Sequence, residues 1–275
     1  MVDAAARTPS GVGLPPSLVR VRARQQRMTI HAAVPPVSGG QQDWTGCAQA
    51  LADPAFFDRW RKRLAGWLHE QYGEAPERTT AAYVMAWYAQ VPGYLGALLF
   101  HHERRVPSLR PADLAFRLSE GRPHPDGIAL TAHEFACLPD DPAAGTPEAT
   151  VLRSEQALAG VLRARYAAHL ARFVAAFGPT VRFGRHTLWA AATDALDTAL
   201  WQVGLAGGDE GAGVADAALV LAKKQAPFTS ASTMRRVAEG EHERWSRRRE
   251  GCCFHYLLER GKGECASCPR FLPKD

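Results

Sequence analysis

The chain has 275 residues, 46% of them hydrophobic and 22% charged, with a formal net charge of +5. That is enough chain for a sizeable core, as one large domain or two ordinary ones. No apolar run reaches the roughly 18 residues a membrane span needs, since Ala81 to Phe100 is interrupted by Gln90, Pro92 and Gly93. Five of the arginines and a single acid, Asp3, fall in residues 1–27; without that segment the net charge drops from +5 to about +1. A near-neutral body gives no electrostatic support for a nucleic-acid partner.

Residues 1–43 are rich in Gly, Pro and Ser and lack the apolar core of a secretion signal. They are expected to form a disordered tail, or to precede a true start at Met28, and the protein is expected to be cytoplasmic. The body is expected over 44–250. Asp53-Pro54 offers an N-cap followed by a proline in the first turn. Phe57, Trp60, Leu64, Trp67, Leu68 and Tyr72 then recur at helical spacing, a stripe that reads as core.

A second helix is expected over 79–104, with Pro92-Gly93 marking a kink or a break. Between 105 and 145 prolines accumulate, and Gly127 to Cys137 predicts a short strand or two. Thr146-Pro147 repeats the cap signal and predicts a long helix, stopped by Gly178-Pro179. Two further helices are expected near 186–205 and 212–224, and a charged one over 231–250. The fold class is therefore α+β and mostly helical: a helical body with a small β element, followed over 251–275 by a cysteine-rich extension.

Four of the six cysteines lie in that extension, as Cys252, Cys253, Cys265 and Cys268. Gly261 and Gly263 would let the chain double back and bring the pairs together. Disulfides fit poorly, because adjacent cysteines pair only through a strained ring and the expected compartment is reducing. Cys265-Ala-Ser-Cys268 would suit a structural zinc ion. Cys252-Cys253 argues the other way, since placing neighbouring side chains on one small ion strains the backbone, whereas a two-iron cluster offers two metal atoms. Spacing alone leans toward iron–sulfur and leaves zinc open, the alternative being a non-enzymatic protein with a four-cysteine zinc staple and a partner-binding helical body.

The run Arg247-Arg-Arg-Glu-Gly-Cys252-Cys253-Phe-His-Tyr256, followed by Cys265-Ala-Ser-Cys268-Pro269, resembles the C-terminal signature of the FhuF-like ferric siderophore reductase family. That signature has a Cys-Cys pair, a gap of about ten residues and a Cys-x-x-Cys. Here the gap is eleven residues. The resemblance covers about the last 25 residues. It implies a [2Fe-2S] cluster held by Cys252, Cys253, Cys265 and Cys268, and an oxidoreductase that reduces ferric siderophores, expected to be of the hydroxamate type.

No glycine-rich dinucleotide fingerprint follows a strand, so electrons are expected from a partner such as a ferredoxin or its reductase. Arg247, Arg248 and Arg249 are candidates to tune the cluster or to dock that donor; otherwise they pair with Glu241, Glu243 and Glu250. Substrate is expected in a cleft between body and extension, lined by aromatics such as Trp245 or Tyr256. His255 is read as a hydrogen-bond donor near the thiols rather than a ligand. His101-His102-Glu103 and His133-Glu134 are read as surface or capping groups, and Cys47 and Cys137 as buried thiols.

Overall fold

A computed structural model of the protein describes residues 12–36, 44–239, 242–258, 260, 265 and 267–270. Helices dominate, at 51%, as the apolar periodicities predict. In chain order the elements are α1 (Leu14–Arg22), β1 (Thr29–His31), β2 (Thr45–Gly46), α2 (Cys47–Ala52), α3 (Phe56–Tyr72), α4 (Glu77–Glu103), β3 (Val106–Pro107), β4 (Leu114–Leu118), β5 (Pro125–Leu130), β6 (Phe135–Cys137), β7 (Ala149–Val151), α5 (Glu155–Phe177), α6 (Arg185–Ala206), α7 (Glu210–Val220), β8 (Met234–Glu239) and β9 (His242–Arg247). Among the described residues no helix is long and apolar enough to cross a membrane.

The central element is α4, buried along nearly its whole length and packed by α1, α3, α5 and α6. The helix runs unbroken through Pro92, so the expected break into two helices does not occur. Enclosure by neighbouring helices stabilises the turn that the missing N–H weakens. Gly96 supports that enclosure, because a Cβ there would stand 2.7 Å from a methyl of Leu162 on α5. On the other side, α3 presents Phe57, Trp60, Leu64 and Leu68 to the core as its stripe predicts. Phe57, Tyr88, Phe173 and Phe177 pack there as one aromatic cluster with centroids 4.4–5.6 Å apart.

Three small sheets complete the fold. The first has the order β1-β5-β4-β2, with β1 parallel to β5. The second runs β3-β6-β7, and the third is the antiparallel hairpin β8-β9. The strands expected within 127–137 are β5 and β6.

Three expectations are corrected. The segment 12–36 is not a structureless tail: Leu14, Leu18 and Val21 of α1 are buried, Ser17 donates to Glu103 at 3.0 Å, and β1 supplies an edge strand. A start at Met28 would forfeit α1. The helix expected from Thr146-Pro147 begins at Glu155 instead, after β7, because Ser154 is the working N-cap, its hydroxyl accepting from Ala157 N–H at 3.2 Å.

The charged helix expected over 231–250 is the hairpin β8-β9. Its register sets Arg236 opposite Trp245, with the guanidinium 5.0 Å from the ring centroid, and Arg236 pairs with Glu243 at 3.2 Å. These cross-strand contacts suit a pleated ribbon that is exposed over His242–Arg244 and buried at Ser246 and Arg247. The expected turn at Gly261 and Gly263 lies outside the described residues.

Candidate metal centre and its cleft

Two carboxylates are buried one turn apart in α6, Asp194 and Asp197, at 5% and 2% exposure. A buried carboxylate is tolerated only when charged partners and N–H donors satisfy it. Asp197 accepts from Ser232 Oγ at 2.7 Å and from the Thr233 amide and hydroxyl at 3.1 Å, at the start of β8. Asp194 accepts from the amides of Glu250 at 2.9 Å and Gly251 at 2.7 Å, just past β9. Burial raises the Asp194 carboxyl above its ordinary range, while Arg247, Arg249 and the two amides oppose that shift. Arg247 bridges the acids, 3.2 Å from Asp194 and 3.7 Å from Asp197. The hairpin and the residues leading to Cys252 are thereby clamped onto α6. Gly251 is part of the clamp, since a Cβ there would stand 3.3 Å from the Asp194 carboxylate and 3.4 Å from the Ala191 amide nitrogen.

From this anchor the chain delivers its thiols. Cys253 Sγ and Cys265 Sγ are 4.0 Å apart, and all four cysteines are free. Phe254 N–H donates to Cys252 Sγ at 3.4 Å, and the Cys268 amide closes a turn onto Cys265 O at 2.9 Å. Phe254 holds φ 56°, a left-handed conformation that costs a non-glycine residue roughly 1 kcal/mol or more. Thr79 Oγ1, donating to Phe254 O at 3.0 Å, and a stack on Phe183 at 5.6 Å keep it there.

The thiols are unequal. Cys265 is pulled down to about 6, chiefly by the hydrogen bond with Cys253 and then by Arg249, whereas that same bond and burial push Cys253 up. Burial raises Cys252. Arg249 stays charged although burial opposes it, because Asp194 and the sulfurs of Cys253 and Cys265 lie against it.

Among the described residues no three Cys, His, Asp or Glu side chains close on one metal-ion point. The donor set nevertheless suits thiophilic metal. Two thiolates on one tetrahedral metal at about 2.3 Å stand about 3.8 Å apart, close to the Cys253–Cys265 spacing, and the N–H···S bond is of the kind that supports ligating sulfurs.

One wall of the thiol pair faces a cleft of about 480 Å³ between α4, α6 and the extension. Tyr83 and Trp87 of α4, Trp201 of α6, His255 and Arg122 line it together with Cys253 and Cys265. Burial raises the Tyr83 phenol well above its ordinary value, and its hydroxyl hydrogen-bonds with His255 Nδ1 at 2.7 Å. Arg122 lies between two indoles, 5.5 Å from Trp67 and 5.0 Å from Trp87.

Of the four predicted cysteines, Cys253 and Cys265 have sulfurs 4.0 Å apart and both line a cleft between body and extension, where one was expected. Its aromatics differ from those expected: Trp245 sits beneath Arg236 on the hairpin, and Tyr256 beneath Arg270 at 4.2 Å. In the arginine run, Arg249 lies against the thiols as the tuning reading has it. Arg247 is buried against α6, Arg249 faces the thiols and Arg248 donates to Pro269 O at 3.2 Å, while Glu243 pairs with Arg236. His101 contacts Asp216 at 2.7 Å and Glu103 binds Ser17 and Arg20, so they form no metal group; His133 and Glu134 are exposed. Cys47 and Cys137 are buried thiols. Asp194 and Asp197 were missed, although two acids three apart in an apolar helix were a visible signal.

The family model of the FhuF 2Fe-2S C-terminal domain matches residues 249–270, from Arg249 to Arg270. This span holds all four cysteines, points to a [2Fe-2S] cluster and is consistent with a FhuF-like ferric siderophore reductase family. A search of curated proteins returned no match.

In metal-free protein, Cys265 is expected to alkylate first, its rate rising with pH through a midpoint near 6 as the thiolate forms, while buried Cys47, raised to about 12, stays unreactive. Mass mapping of iodoacetamide adducts across pH checks this, and equal labelling of Cys253 and Cys265 at pH 6 would contradict it. Asp194→Asn is expected to cost about 3 kcal/mol of the clamp. The readout is iron per chain after anaerobic gel filtration, which should fall while far-UV circular dichroism holds; wild-type iron would remove Asp194 as the anchor.

Proposed function

We propose that the protein is an iron–sulfur oxidoreductase that reduces Fe(III)–siderophore complexes, of the hydroxamate type, by one electron and so releases Fe(II). Cys252, Cys253, Cys265 and Cys268 would hold the cluster. The observation that carries the reading is a cleft lined by Cys253 and Cys265, which belong to the segment matched by the FhuF 2Fe-2S domain.

The chemistry follows from hardness: Fe(III) prefers hard oxygen donors, and Fe(II) is held by them far less well. A [2Fe-2S] cluster supplies one electron at a time, which is the stoichiometry of that step. The chain's own residues prepare the site. Arg249 offsets negative charge at the thiolates, and Phe254 N–H donates to Cys252. Tyr83, Trp87 and Trp201 give the cleft apolar faces against which the hydrocarbon spans of a chelate can pack, and the Tyr83–His255 bond fixes one wall. Arg122, stacked between indoles, is set to meet a ligand oxygen. Work in the cytoplasm after uptake, with electrons from a ferredoxin or its reductase, completes the proposal.

Anaerobically purified protein is expected to be red-brown, to contain iron and acid-labile sulfide, to bleach with dithionite and to recover colour when a ferric trihydroxamate is added. A colourless protein with one zinc and no sulfide would end the reading. Arg249→Gln is expected to lower the reduction potential by on the order of 50–100 mV, since losing one positive charge beside the sulfurs disfavours the added electron by about 1–2 kcal/mol. Protein-film voltammetry measures this, and an unchanged potential would show that Arg249 is only a structural partner of Asp194.

A further inference from the structure

Arg247, Arg248 and Arg249 are held by α6, by Pro269 and by the thiols, so the exposed positive charge near the site lies elsewhere. Part of it stands over Phe254, the residue whose amide donates to Cys252 Sγ, and part flanks Phe183 in sequence. The Phe254 ring stacks on Phe183, with planes 10° apart, and the exposed Arg78 at the start of α4 lies 5.7 Å from its centroid. A groove of about 420 Å³ is lined by Phe183 together with Arg61, Arg78 and Arg182, with Glu77 the one acid among its described lining residues. Arg182 and Arg185, flanking Phe183, are both exposed.

This face is separate from the cleft. With 3.6 residues per turn, Arg78 stands roughly 120–180° around α4 from Tyr83, Trp87 and Gln90, which line the cleft. The thiol segment therefore has two approaches: one aromatic and concave, lined by Cys253 and Cys265, the other a cationic face at two stacked rings, adjoining Cys252 through the Phe254 amide.

We propose that the face formed by Arg78, Arg182, Arg185, Phe183 and Phe254 docks an acidic one-electron carrier protein. The inference rests on the reductase reading and adds where reducing equivalents enter. The arginines match an acidic surface and accelerate encounter, while the paired rings give the docked carrier an apolar centre. In the transfer the carrier loses one electron and the thiolate-held centre gains it, with no bond formed or broken and no proton moved. Entry on one side and the ferric complex on the other would let both bind at once.

The test uses full-length holoprotein and a reduced plant-type [2Fe-2S] ferredoxin as the acidic probe. Stopped-flow bleaching is followed for wild type and for Arg182→Glu/Arg185→Glu, a variant that leaves Phe254 and its contacts in place. The expected result is a second-order rate at least about tenfold lower in the variant at low salt, and a flatter salt dependence. Reduction by dithionite and reoxidation by ferric trihydroxamate should match wild type. Equal ferredoxin rates in the two proteins, or none in wild type, overturn the proposal. Failure of the reductase reading gives a different result: dithionite-reduced wild type that does not pass its electron to the ferric complex, whatever the ferredoxin rates. Arg78→Gln, which removes the charge over Phe254 without reversing it, provides a second variant, expected to give a smaller drop in the same rate.

Discussion

A carboxylate buried in the middle of α6 has to find donors, and the way Asp194 finds them fixes the far end of the chain. It takes the backbone amides of Glu250 and Gly251 and the guanidinium of Arg247. Asp197, one turn along, takes the other end of the same hairpin through Ser232 and Thr233. Removing either acid from water is costly, and only this convergence of amides, hydroxyls and one shared arginine offsets the cost. The thiol segment therefore leaves α6 at a defined point and in a defined direction.

That direction gives the site its two sides. Cys252 and Cys253 follow immediately, and the left-handed Phe254 turns the chain so that its ring meets Phe183 while its carbonyl meets Thr79 on α4. His255 then reaches Tyr83 on the cleft side. A strained residue held by contacts on either side is where the thiols gain orientation, because each contact excludes other paths for the loop. Arg249 ties the two levels together, touching Asp194 beneath and the sulfurs of Cys253 and Cys265 above, so the clamp and the electrostatics of the thiols share one side chain.

Where the reading of the sequence failed, it failed for local reasons. The hairpin β8-β9 carries charge on both faces, so neither a period of two nor a period of 3.6 stands out, and Gly240 in the sequence is a turn signal that a helical reading leaves unused. Thr146-Pro147 had the letters of an N-cap, but Ser154 had the geometry. Pro92 reads as a break in any isolated helix, and only burial among α3, α5 and α6 overrides it. Composition made residues 12–36 look like a tail; Leu14, Leu18 and Val21 form a short apolar stripe whose meaning depends on the surface it meets.

By itself the sequence determined the donor types: four cysteines in two close pairs, a mostly helical body, and the long apolar stripes that build it. These are properties of residue type and spacing, and they persist whatever the chain packs against. The tertiary structure alone decided which arginine meets a buried acid and which meets sulfur, that Tyr83, Trp87 and Trp201 line the cleft in place of Trp245 and Tyr256, and that a separate cationic face adjoins Phe254. Those outcomes depend on pairs far apart in the chain, Asp194 with Gly251 and Tyr83 with His255, and no local pattern encodes the partner of a residue that folding brings from more than fifty positions away.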